Sequence, residues 1–205
     1  DLLSLARNCA YDQWSVGKTV ILQKDLSLEG MLWEPIPSFS GQFKGNGHTI
    51  SDLTITGQYS PAGLFGIVEE QGSIESLSVR GVVSVSDSAD TTTGGIAGVN
   101  HGTLINCQFT GVVTGDSEVG GIVGRNESEG TIDHGTARAI VTGKSSTGGI
   151  AGYNLGAITG CTAEGKDETE GVGSQAIAKM PGEIAENGSI LAQSERFHNE
   201  MTISE

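Results

Sequence analysis

The residues able to do chemistry are few, and their spacing places them poorly for it. Glu75 and Asp133 occupy equivalent places in two similar segments, Ser73-Ile74-Glu75-Ser76 and Thr131-Ile132-Asp133-His134. A glycosidase needs two carboxylates about 5 to 9.5 Å apart. Stacked at ~4.8 Å per strand with Ile105 between them, Glu75 and Asp133 would stand about 9.6 Å apart on one face, marginal for an inverting pair. A second polar column, Arg80, Thr110, Arg138 and Glu164, brings no tight cluster of acid, base and aromatic platform, so a solvated sheet face is the better reading of both columns. His48 follows Gly45-Asn46-Gly47, a turn signal ahead of an apolar strand, and reads as a turn or cap residue rather than a catalyst. Cys9, Cys107 and Cys161 form no CxxC pair and no zinc spacing. Cys107 and Cys161 fall in one column two coils apart, beyond the ~7 Å reach of a disulfide, and are expected as free, buried thiols. No catalytic residue, cofactor site or metal site is assigned. Nucleotide chemistry is equally unsupported, because Gly17-Lys18-Thr19 and Gly143-Lys144-Ser145 lack the upstream glycine of a phosphate loop.

The elements that would position these residues repeat along the chain. Ala62–Gly66 (AGLFG), Gly94–Gly98 (GGIAG), Gly120–Gly124 (GGIVG) and Gly148–Gly152 (GGIAG) are one motif, with second residues Gly63, Gly95, Gly121 and Gly149 at intervals of 32, 26 and 28 residues. A period of that size is a solenoid signature. Apolar residues recur in step: Leu64, Ile96, Ile122 and Ile150; Ile74, Leu104, Ile132 and Ile158; Val79, Phe109, Ala137 and Ala163. Segments such as Leu77-Ser78-Val79-Arg80 alternate with period two, so they are strands. Short strands joined by glycine turns can hydrogen-bond to the coils above and below, each coil stabilising its neighbours. The expected fold is all-β, a parallel β-helix solenoid with a short N-terminal helical cap, taken as right-handed although the sequence does not encode the hand. Asn100, Asn126 and Asn154, each two residues after the motif's last glycine, with Val68 in the first coil, predict an asparagine ladder. Stacked amides satisfy one another and tolerate left-handed turn geometry, so the ladder reads as structural rather than ligand-binding.

The ends depart from the repeat, as a solenoid's ends must if they are to cover core and strand edges. Residues 1–18 read as a cap, with Leu2, Leu5, Ala6 and Cys9 on one helical face and Trp14 packed nearby; residues 19–61 read as irregular lead-in coils whose core includes Trp33, Ile36, Phe39, Phe43, Ile50, Leu53 and Ile55. Four repeat coils fill residues 62–165. Residues 166–205 read as a degenerate coil or a C-terminal cap or tail, with 166–173 as a loop and Glu183–Ile190 as a faint fifth echo of the motif.

The whole chain is glycine-rich and acidic: 32 glycines, 25 acidic against 11 basic residues, and a formal charge of -14. Such a field repels polyanions, which excludes nucleic acid as a natural partner. Carboxylate oxygens suit calcium, so calcium is the one cofactor left open, although GGIAGVN misses the calcium-binding nonapeptide pattern in residue type and period. No apolar run reaches the ~18 residues of a membrane span, and the start at Asp1 reads as a mature or excised fragment, either a monomer or one module of a longer chain.

With GLFG and GGIAG in view, and with Trp33-Glu34-Pro35-Ile36, Phe39 and Phe43-Lys44-Gly45-Asn46-Gly47-His48-Thr49-Ile50 as lead-in, residues 19–165 resemble the GLUG-repeat modules of bacterial surface proteins, including adhesins and immunoglobulin-A peptidases. The resemblance implies an extracellular or cell-envelope location and a noncatalytic module for adhesion, display or spacing, with a host or cell-surface protein or glycan as partner. The zinc motif HExxH of the peptidase relatives is missing from this sequence, so that activity is not carried over. The alternative is a polysaccharide lyase or glycoside hydrolase, since such enzymes share the parallel β-helix, but fold alone licenses no activity.

Overall fold

The computed structural model describes residues 2–11, 13–86, 91–169 and 178–179 of the chain. They form a parallel β-solenoid behind one short helix, α1 (Leu2–Asn8). Strand-forming segments recur once per coil, so like segments stack into sheets. The first sheet stacks β1 (Thr19–Ile21), β4 (Gln42–Lys44), β7 (Ser73–Glu75), β11 (Thr103–Ile105), β15 (Thr131–Asp133) and β19 (Ala157–Thr159). The second stacks β3 (Ile36–Phe39), β6 (Phe65–Val68), β10 (Ala97–Asn100), β14 (Val123–Asn126), β18 (Ala151–Asn154) and β21 (Ala178–Lys179). The third, with the longest strands, stacks β2 (Leu26–Ser27), β5 (Thr49–Gly57), β8 (Ser78–Val85), β12 (Gln108–Thr114), β16 (Thr136–Gly143) and β20 (Thr162–Thr169).

Register follows the apolar columns. Ile74, Leu104, Ile132 and Ile158 are direct partners across β7, β11, β15 and β19, and Val79, Phe109, Ala137 and Ala163 are partners across β8, β12, β16 and β20. Leu64, Ile96, Ile122 and Ile150 are fully buried. A shift of one residue would turn these side chains to solvent, so burial fixes the register.

A fourth sheet was not legible in the sequence: β9 (Thr92–Gly94), β13 (Glu118–Gly120) and β17 (Ser146–Gly148) pair in parallel. It packs on the outer side of the second sheet and accounts for the repeated motif. A Cβ at Gly124 would stand 2.4 Å from the Thr93 nitrogen, and one at Gly95 2.2 Å from the Phe109 ring. Only glycine allows these approaches.

The left-handed turn positions also differ from expectation. The asparagines of the ladder end strands, whereas among the residues with positive φ are Ser76, Asn106, His134 and Gly160, stacked where the chain leaves the first sheet for the third. Non-glycine residues are uncommon there, but Asn and His are among those that tolerate it best, so Ser76 carries the larger backbone cost.

At the front, Leu2, Leu5 and Cys9 are buried, and α1 packs against β3. Phe39, Phe43 and Phe65 fill the lead-in interior, with ring centroids 5.3 to 6.3 Å apart, edge-on or tilted as aromatic quadrupoles prefer. At the back, the expected break at residue 165 needs correction. The segment read as a loop from Lys166 continues β20 to Thr169, paired with Ile140–Gly143 of β16. Ladder bonding to a formed strand outweighs the poor strand propensity of an acidic segment. A further rung begins at Ala178, which pairs with Ala151. The echo at Glu183–Ile190 lies outside the described residues. Between the third and fourth sheets, β8 runs to Val85 and β9 starts at Thr92, and Thr91 and Thr93 are buried. Among the described residues no helix is long and apolar enough to cross a membrane.

Candidate functional site

The most ordered polar constellation is the column Asn100, Asn126 and Asn154, whose residues are direct partners across β10, β14 and β18 and are at most 1% exposed. Asn100 Nδ2 donates to Asn126 Oδ1 at 2.7 Å, and Asn126 Nδ2 donates to Asn154 Oδ1 at 2.8 Å. Each amide also donates across its own turn, to the carbonyls of Gly102, Gly130 and Gly156. The chain of amides therefore has a direction, with donors pointing toward the C-terminal coils. Buried amides must be satisfied, and these satisfy one another. The exception is Asn100 Oδ1, buried without a partner where the column passes to Val68.

Glu75 and Asp133 share the outward column Lys44, Glu75, Ile105, Asp133, Thr159 of the first sheet, with Ile105 between the two acids. The structure does not bring them together. Asp133 accepts a hydrogen bond from Thr159 Oγ1 at 2.6 Å and faces His134 Nδ1 at 2.9 Å. The Thr159 bond, then His134, holds its carboxyl below the usual carboxylate range, the reverse of what a general acid needs. His48 Nδ1 lies 3.2 Å from Asp25 Oδ1, which also accepts from the Thr49 N–H. That backbone bond is the main cause lowering the Asp25 pKa, and His48 adds to it. Both histidine pairs are exposed turn contacts. Cys9, Cys107 and Cys161 are unpaired and buried. Desolvation pushes the Cys107 thiol up to about 12 and Cys161 to about 11, which leaves little reactive thiolate at neutral pH. Among the described residues no three His, Cys, Asp or Glu side chains gather as a metal site.

Sequence reasoning missed one charged cluster. Arg125 Nε donates to Glu118 Oε2 at 2.7 Å and its Nη2 to Glu118 Oε1, with Glu127 at 3.6 Å and the guanidinium 4.8 Å over the Tyr153 ring. Glu118 above all holds the guanidinium protonated. Arg125 is on β14 and Glu118 on β13, so this fork ties the fourth sheet to the second. Two of its donors are engaged by Glu118 and its charge faces Glu127. A signal was present only in the column Val99, Arg125, Tyr153, where a cation and a ring stand on adjacent rungs.

Comparison with known proteins bears on this architecture. A family model described as the GLUG motif matches residues 143–167, from the end of β16 through β17, β18 and β19 into β20. The coil over residues 143–167 is thus similar to a GLUG repeat. Halomucin of Haloquadratum walsbyi is 35% identical over 117 residues, which cover 53% of this chain and 1% of that protein. The "Putative Gly-rich membrane protein" of Evansella cellulosilytica is 31% identical over 137 residues, 48% of this chain and 16% of that one. The chain thus spans only a small part of either relative. The crystal structure of "a putative immunoglobulin A1 protease from Bacteroides ovatus" superposes with a TM-score of 0.52 at 18% identity, covering 76% of this chain and 62% of that one, a likeness of fold. In this repeat, the motif's glycines make room for the fourth sheet, and its trailing asparagine builds the amide column.

Proposed function

We propose that this chain is a noncatalytic module of a surface or envelope protein, serving to display or space other parts of a longer chain and to present its outer faces for adhesion to a host or cell-surface protein or glycan. One observation carries the reading: the ordered polar groups are committed to the solenoid itself. Asn126 both donates to and accepts from its neighbouring rungs, and Asp133 is engaged by Thr159 and His134. Catalysis needs groups whose interactions strengthen in a transition state, and groups already saturated by the fold have little to offer one. A stack of coils in register is by contrast a good spacer, since each rung adds ~4.8 Å. The name of one relative supports an envelope setting, since it is called a membrane protein.

The test is a turnover assay for reducing sugar and unsaturated product over common acidic and neutral polysaccharides, run beside a glycan array. The expected result is no turnover. Turnover abolished by Glu75→Gln or Asp133→Asn would establish the lyase or hydrolase reading instead.

A further inference from the structure

We propose that the outward face of the third sheet is a self-association surface, on which a second copy of this chain docks with its solenoid axis reversed. The inference starts from what covers each sheet. The second sheet is overlaid by the fourth, and the first sheet has strands of only three residues. The third sheet has strands of seven to eight residues over β8, β12, β16 and β20, in unbroken register. Its outer face holds an aliphatic run, Val82, Val112 and Ile140, with Val82 40% and Ile140 45% exposed, in a column whose next register position on β20 is Lys166. Aliphatic side chains aligned on adjacent rungs are a patch rather than scattered exposure.

The flanking column sets the occupant. Along the solenoid it reads Arg80, Thr110, Arg138, Glu164, cationic at one end and anionic at the other. A two-fold axis parallel to the strands, between β12 and β16, reverses the rung order. It sets Arg80 of one copy opposite Glu164 of the other, Thr110 opposite Arg138, Val112 opposite Ile140, and Val82 opposite the register position of Lys166. The charged ends and the aliphatic centre of the face are therefore complementary to themselves, as an isologous interface requires, while the Val82–Lys166 positions add no pair. Glu164 already accepts from Arg138 Nε at 2.9 Å, and both side chains remain about half exposed, so its carboxylate can take a second guanidinium.

Magnitude limits the strength. A face about 19 Å by 23 Å, from strand spacing and rise, buries roughly 900 Å² in total, below the ~1,200 Å² of stable interfaces. The dimer is weak and transient. The net charge of -14 also opposes approach of two copies. That long-range repulsion is screened beyond ~8 Å at physiological ionic strength, while close pairs at the face are screened less, so association strengthens from low salt to about 0.15 M.

The experiment is sedimentation equilibrium of the full chain up to about 1 mM in 0.15 M salt. The expected result is a monomer–dimer equilibrium that Ile140→Asp abolishes and that Arg80→Glu weakens roughly three- to ten-fold, two symmetry-related pairs being lost. Arg80→Glu combined with Glu164→Arg recovers part of the loss. Circular dichroism and the melting temperature of each variant confirm that the solenoid is intact. A wild-type chain that stays monomeric, even one that captures a glycan on this face, overturns the proposal. So does a dimer that survives Ile140→Asp.

Discussion

One column of the second sheet passes through two chemistries. Its residues, from front to back, are Phe39, Val68, Asn100, Asn126 and Asn154. In the lead-in half the column is apolar, and Phe39 joins Phe43 and Phe65 in an aromatic cluster. In the repeat half it is a run of amides hydrogen-bonded from coil to coil. Both halves bury the position completely, so burial alone does not choose the residue type. What differs is dependence on the neighbour. An apolar side chain needs only shape from the next rung, whereas an amide needs a donor or acceptor at the right height. Where the halves meet, that requirement fails on one side and Asn100 Oδ1 goes without a partner. A repeat of amides is thus self-consistent in its middle and strained at its edge.

The largest effect should come from breaking the amide half in its centre. Asn126→Leu removes the acceptor of Asn100 and the donor to Asn154, leaving two buried polar groups at about 1–3 kcal/mol each, hence a loss of about 2–6 kcal/mol in urea unfolding. Phe39→Ala, in the apolar half, should cost about 3–5 kcal/mol through the cavity it leaves, with no orphaned polar group. The two variants separate in a double mutant with Asn154→Leu. Loss of Asn154 should reduce the penalty of Asn126→Leu, because one orphan disappears, and should add to that of Phe39→Ala.

Smaller gains are expected where buried hydroxyls lack partners. Thr93 and Thr147 flank Val119 in the buried column of the fourth sheet, and both Oγ1 atoms are unpartnered. Thr93→Val should raise stability by about 1 kcal/mol, read as a higher melting temperature. Val68→Thr sharpens the boundary itself. A buried Val→Thr exchange normally costs about 1–3 kcal/mol, but here the new hydroxyl can donate to Asn100 Oδ1, so the cost should fall to near zero. A full penalty would show that Asn100 Oδ1 is not out of reach of a donor already.

The smallest effect is electrostatic. The folded-state pKa of Asp133 lies below its ordinary value of 3.8 because Thr159 and His134 favour the carboxylate. Its stabilising contribution is therefore present above that ordinary pKa and is lost as pH falls through the lower folded value. An NMR titration should place its midpoint below 3.8 in the wild type and higher in Thr159→Val. The group is exposed, so the melting temperature should hardly move.

Much of the solenoid was legible because period carries it. The spacing of Ile74, Leu104, Ile132 and Ile158 forced like residues into one column, and the pairing of β7, β11, β15 and β19 follows that spacing. The fourth sheet was not legible. Its three-residue strands share only a small or β-branched middle residue and a final glycine, too little pattern to separate strand from turn. The strand over 166–169 was hidden because charged residues mask a backbone paired to a formed template. Among the candidate residues, the asparagine spacing was legible but the direction of the amide bonds was not, since direction depends on rotamers. The Arg125 fork was missed because Glu118 reaches it across a glycine turn, in a sheet the pattern did not reveal.

Each repeat adds one rung in strict register, and a spin-label distance probes that stacking. Thr49, Ser78, Gln108, Thr136 and Thr162 form one outward column over five successive rungs of the third sheet. Labels at Thr49 and Thr162, diluted with unlabelled chain, should give one narrow distribution near the four-rung span of about 19 Å. A broad distribution, or one centred beyond about 30 Å, would contradict the stacking of these coils.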